Sequence, residues 1–175
     1  MNNTSLKAVK RITLTALFAA LCYVGTVVIQ IPSPTEGYLN LGDCFVLLSG
    51  WLLGPLYGAL AAGIGSALAD VLTGYAHYAI ATFIIKALMA AVCWLLFRTL
   101  QKAFSKPFVP HLVGAVAAEL IMVAGYFLFS ALIRGSGWAA ALGIPGNLIQ
   151  GAAAIVSGML VVELLTKAKV DRYLK

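Results

Sequence analysis

Long apolar blocks, at about residues 12–31, 41–72, 78–97, 110–133 and 144–166, are punctuated by basic residues in only three places. Lys7, Lys10 and Arg11 precede the first block. Arg98, Lys102 and Lys106 follow the third, and Lys167, Lys169, Arg172 and Lys175 close the chain. These segments hold ten of the twelve basic residues. A membrane span needs about 20 apolar residues, and Lys- and Arg-rich ends stay on the cytoplasmic side. If the three basic segments share one side, an even number of spans must separate the first from the second. Three blocks lie between them, so one must be a hairpin. The 41–72 block is too long for one crossing and carries Gly54-Pro55, a turn signal, near its middle. The sequence therefore predicts an all-α integral membrane protein with six transmembrane helices and cytoplasmic N- and C-termini. It forms one domain over 1–175, with helices at about 12–31, 41–53, 56–72, 78–98, 110–133 and 144–166. The loops at 32–40, 73–77 and 134–143 then face outside, with Arg134 as their one basic residue.

Composition agrees. The chain is 62% hydrophobic and 10% charged, against about 25% charged in soluble domains. The net charge of +6 does not point to nucleic acid, because the charges sit at the ends of apolar runs. The first apolar run resembles a signal peptide, but at about 20 residues it exceeds a signal core of about 7–15, and no small-x-small cleavage site follows. It reads as a retained first helix. Cys22, Cys44 and Cys93 have no metal-ligand spacing and read as small packing residues.

The residues that apolar spans do not explain are polar ones at depth, which are expensive in a membrane and call for a partner, a cavity or a ligand. Lys86 and Glu119 each fall about 13 Å from their own side of a core of about 30 Å. They are expected either to pair between helices or to act together, with Lys86 reading a ligand and Glu119 as counter-ion. Asp70 sits at the unfavourable C-terminal end of a helix dipole, so it needs a donor from the 73–75 loop or from a ligand. Asn40 can cap the second helix, with Asp43 favouring the positive end of its dipole. Glu36 reads as solvated or as a lid contact. Tyr75, His77 and Tyr78 form an interfacial aromatic cluster on which a flat ring would stack, and Thr82 lies one turn from Lys86. Tyr126, Asn147 and Gln150 bond across helices or reach a ligand.

Gly54, Gly58, Ala62, Ser66 and Asp70 recur every four residues, a small-residue stripe suited to close helix packing. Ala16 and Ala20 form a small-xxx-small pair in the first helix. Enzymatic chemistry finds little support. There is no G-x-x-x-x-G-K-[ST] and no H-E-x-x-H. His77 and His111 fall on opposite membrane sides, so no metal site is expected.

The runs Gly37-Tyr38-Leu39-Asn40-Leu41-Gly42-Asp43, Leu53-Gly54-Pro55-Leu56-Tyr57-Gly58, Gly65-Ser66-Ala67-Leu68-Ala69-Asp70 and Thr82-Phe83-Ile84-Ile85-Lys86 resemble the substrate-binding S components of energy-coupling factor (ECF) vitamin transporters. The nearest likeness is to the riboflavin, hydroxymethylpyrimidine and pyridoxine branch. The resemblance implies a vitamin-binding subunit of an ABC importer in a prokaryotic plasma membrane. Its partners would be a transmembrane coupling subunit and two ATPase subunits, which hydrolyse the ATP, so the chain itself needs no cofactor. The family's helix 1 docking motif falls on Ala16 and Ala20. The resemblance implies a pocket among the outer ends of helices 4–6, under the first and third outer loops. Its candidate residues are Asn40, Asp70, Tyr75, His77, Tyr78, Thr82, Lys86, Glu119, Tyr126, Asn147 and Gln150, those from 119 onward read from the residues themselves and not from a matching motif. A stand-alone small-solute facilitator and a membrane scaffold are the alternatives.

Overall fold

Nothing in residues 3–11 breaks a helix, so the first helix, α1, starts early and spans Asn3–Val28. The basic residues ride on its first turns instead of preceding it. It stops short of residue 31 because Ile31–Pro32 forms a short strand, β1, and proline removes a helix donor. β1 pairs antiparallel with β2, Tyr38–Leu39, with Ile31 opposite Leu39 and Pro32 opposite Tyr38. This computed structural model describes residues 3–32 and 38–170. Glu36, Gly37, Arg172 and Lys175 lie outside the described residues.

The remaining elements are helical. α2 spans Gly42–Leu72, α3 Ala79–Leu100, α4 Phe108–Leu128 and α5 Ile144–Lys167. A 3-10 turn, Ala76–Tyr78, leads into α3. A π-turn, Phe129–Ile133, and a 3-10 turn, Gly137–Gly143, join α4 to α5. Among the described residues, five helical segments are long and apolar enough to cross a membrane.

α2 is not straight. Its 31 residues would reach about 46 Å at 1.5 Å per residue, well beyond a hydrocarbon core of about 30 Å. Gly54 has φ 85° and ψ −178°, a conformation essentially restricted to glycine, and Pro55 follows it. The chain turns back there. The Ser49 hydroxyl donates to the Gly58 carbonyl at 3.1 Å, and a Cβ on Gly58 would come within 2.5 Å of the Ser49 carbonyl oxygen. Unbroken helix would hold residues nine apart about 13 Å from each other. α2 is thus two arms, 42–53 and 55–72, packed face to face.

The first arm runs through the middle of the bundle. Val46 and Leu47 are wholly enclosed, with Leu48, Met89 and Met122 against them in one apolar core. That burial lets an arm of only about three turns lie at membrane depth, since protein rather than lipid surrounds it. Gly58, Ala62, Ser66 and Asp70 of the small-residue stripe all face inward. Cys22, Cys44 and Cys93 are buried and unpaired. At the end carrying the 101–107 loop, His111 stacks on Phe97 at 4.2 Å and meets Trp51 edge-on at 4.8 Å.

Candidate ligand-binding site

At the opposite end, residues of all five helices, of β2 and of the turns that join α4 to α5 line a cavity of about 310 Å³. Its floor is a charged network. The Lys86 ammonium donates to Asp43 Oδ1, with both side chains buried. Gln150 Nε2 donates to Asp43 Oδ2 at 2.6 Å, and the Asn40 amide N–H donates to Gln150 Oε1 at 2.9 Å. Asn40 Oδ1 in turn accepts from the Gly42 amide at 2.8 Å. Asn40 therefore closes a local turn and does not cap the helix. Leu41 holds the cap position, without a side-chain bond.

This corrects the expected pairing of Lys86 with Glu119. Because the first arm of α2 is buried in the bundle, Asp43 descends to the level of Lys86 and takes the cation. Neither carboxyl oxygen of Glu119 has a hydrogen-bond partner among the described residues. Its side chain packs against Gly151 of α5, where a Cβ would lie 3.3 Å from Oε2. Glu119 is absent from the cavity lining.

One wall comes from the second arm of α2. Asp70 Oδ1 accepts from the Tyr38 hydroxyl at 2.5 Å, so β2 ties the hairpin to the helix end. Burial and the neighbouring carboxylate push the Tyr38 phenol above its ordinary pKa, and it stays a donor at neutral pH. The 73–75 loop bonds to Asp70 through backbone, Tyr75 N–H to the Asp70 carbonyl at 2.8 Å. Asp70 Oδ2 and Ser66 Oγ are buried without hydrogen-bond partners among the described residues. Thr82 faces them, its hydroxyl 3.1 Å from that of Tyr126, whose ring lies 5.3 Å from the Lys86 nitrogen.

The aromatic cluster forms the upper wall. Tyr38 and Tyr75 meet edge-on at 4.8 Å, and Tyr78 packs on Phe129 at 5.2 Å. The Arg134 guanidinium donates to the Tyr78 hydroxyl and sits 5.1 Å over its ring. Asn147 completes the lining from α5. His77 does not line the cavity; it is exposed, with its ring 4.7 Å from that of Tyr78.

Of the expected pocket residues, Asn40, Asp70, Tyr75, Tyr78, Thr82, Lys86, Tyr126, Asn147 and Gln150 share this one cavity. Tyr38, Ser66 and Arg134 join them without having been singled out for it. Ser66 gave a signal, since it stands one turn from Asp70, but its place in the small-residue stripe argued for packing. Ala16 and Ala20 lie elsewhere. Both are exposed on α1, where they line an apolar groove of about 550 Å³ with Tyr57, Leu60, Ile64 and Leu68 of α2.

A cavity of this kind can hold a small polar ring. It offers aromatic faces for stacking and, inside an apolar bundle, several hydrogen-bonding groups that converge. The family model for ECF-type riboflavin transporter S components matches residues 6–167. The chain is 36% identical over 140 residues to an uncharacterized protein of Pyrococcus woesei described as lying "in gap 3'region", covering 77% of this chain and 87% of that protein. Its fold is similar to the solved S component of a bacterial ECF transporter, with TM-score 0.67, 19% identity and coverage of 90% of this chain and 96% of that one.

Proposed function

The chain belongs to the family of ECF-type riboflavin transporter S components, a transport and not an enzymatic family. From that premise we propose that it is the high-affinity vitamin-binding subunit of an ECF-type ABC importer. Its ligand is a small heteroaromatic vitamin or precursor of the pyridoxine, hydroxymethylpyrimidine or riboflavin class. The observation that carries this reading is the polar, aromatic-walled cavity lined by Asp70, Tyr78, Thr82, Tyr126, Lys86 and Gln150, the last two bonded to Asp43 behind them. An open facilitator would need a polar path to the other end, where His111 instead stacks on Phe97 and meets Trp51 edge-on.

The reading extends to the membrane. The protein crosses a prokaryotic plasma membrane six times, with both termini cytoplasmic. Supporting this, the two arms of α2 double back at Gly54, which turns five long helices into six crossings. A transmembrane coupling subunit docks on the Ala16–Ala20 face, and two ATPase subunits supply the energy, so this chain needs no cofactor. The test is a thermal-shift and titration screen of the purified protein against pyridoxine, hydroxymethylpyrimidine, thiamine and riboflavin. Binding tighter than about 1 μM by one of them is expected. Absence of binding by all four overturns the reading.

A further inference from the structure

Among the described residues, Asp70 Oδ2 and Ser66 Oγ are the two buried atoms of the cavity wall left without a hydrogen-bond partner. Ser66 is 2% exposed and Asp70 4%. Four residues apart on one helix, they stand on the same face, one turn above the other. Asp70 is not free to swing away, because Tyr38 holds its other oxygen at 2.5 Å. Buried polar atoms in native proteins are nearly always bonded, and an unpaired pair on one cavity wall needs an account.

Resting on the vitamin-binding reading, we infer that Ser66 and Asp70 form one recognition edge that reads a hydroxyl or amino substituent on a single-ring heteroaromatic ligand. Oδ2 is an acceptor only, so it demands a donor from the ligand. The Ser66 hydroxyl both donates and accepts, so it suits a hydroxyl, or an amino group beside a ring nitrogen. The opposite groups fit a ring lying flat between them: Tyr78 and Tyr126 present aromatic surface, and the Thr82 hydroxyl stands between Tyr126 and the Asp70 wall. Size narrows the class further. At about 310 Å³ the cavity is at the small end of the range of about 300–1,000 Å³ for ligand pockets. That favours one substituted ring over three fused rings bearing a polyol chain.

The discriminating experiment is titration calorimetry on the purified full chain. The probes are pyridoxine, 4-amino-5-hydroxymethyl-2-methylpyrimidine and riboflavin, tested on the native protein, Ser66→Ala and Asp70→Asn. Thermal unfolding of each protein without ligand runs beside it. Expected is binding of at least one single-ring probe at least about a hundredfold tighter than riboflavin. Ser66→Ala should weaken that binding about tenfold and leave the unfolding temperature unchanged, because the lost hydroxyl bonds nothing among the described residues. Asp70→Asn should weaken it by more. Unchanged affinity in Ser66→Ala overturns the recognition edge, as does a fall in unfolding temperature with affinity intact. Tighter binding of riboflavin than of either single ring overturns the size assignment while leaving the vitamin-binding reading in place. Failure of all three probes to bind overturns that reading itself.

Discussion

Lys86 and Asp43 are fully enclosed partners, and such a pair is felt most when half of it is removed. Lys86→Met leaves the Asp43 carboxylate buried without its cation, at a cost of about 3–5 kcal/mol. Adding Asp43→Asn should recover much of that loss, the coupling expected of groups in contact. Glu119→Gln removes a carboxyl with no hydrogen-bond partner among the described residues, so unfolding temperature should hold or rise. Thermal unfolding of the three variants in detergent decides it. If Glu119→Gln destabilises as much as Lys86→Met, Glu119 carries the pairing instead. The need of Lys86 for a carboxylate was legible in the sequence, since a cation so deep in an apolar run cannot stand alone. Which carboxylate it takes was not legible, because the depth of Asp43 depends on an arm of helix sunk into the bundle by tertiary packing. For the same reason Asn40 looked like a cap and became a link to Gln150.

At the scale of elements, the hairpin of α2 depends on two glycines for different reasons. Gly54 adopts a backbone conformation closed to side chains, so Gly54→Ala stores strain of about 1–3 kcal/mol. Gly58 has ordinary helical geometry, but a Cβ there would press within 2.5 Å of a backbone carbonyl that cannot move without shifting the first arm. Gly58→Ala should cost about 1–3 kcal/mol by overpacking. Gly58→Val should cost more. Gly146, whose Cβ would meet the Leu39 side chain at 3.1 Å, is a milder control, because a side chain can turn aside. Ranking the variants by unfolding temperature and by yield of monodisperse protein checks this. Native-like stability of Gly58→Val would mean that the arms are not packed against each other. The hairpin itself could be read from block length, Gly54-Pro55 and charge placement. Helix ends could not: α1 begins at Asn3 because helical propensity continues through residues that charge alone assigned to a flank. The cavity wall was half legible, with Asp70 marked by its place at a helix end and Ser66 hidden among small residues of identical spacing.

For the whole molecule, orientation and docking are the same question, because the cavity must face one side and the coupling machinery must reach the protein within the bilayer. The proposed orientation places Lys102 in the cytoplasm and Gly74 and Ser136 outside. Native Cys22, Cys44 and Cys93 are buried, so single cysteines introduced at these positions can be labelled in intact cells over a low background. Labelling of Lys102→Cys from outside would invert or break the six-span arrangement. The proposed docking face is the groove between α1 and the second arm of α2. Ala16 and Ala20 are exposed one turn apart on its rim, and Leu60, Ile64 and Leu68 are exposed across from them. Hydrophobic exposure costs nothing in lipid, so the feature that distinguishes this face is its small side chains, which let another helix approach closely. The groove and the Ser66–Asp70 wall belong to the same helix arm but have no lining residue in common, so filling the groove should leave the cavity intact. Ala16→Trp and Ala20→Trp are therefore expected to abolish ATP-driven uptake in proteoliposomes holding the complete transporter, while titrated ligand affinity of the isolated chain stays within about twofold of native. Uptake at the native rate in both variants would move the docking face elsewhere. Loss of affinity together with uptake would show that the groove and the cavity are not separate sites.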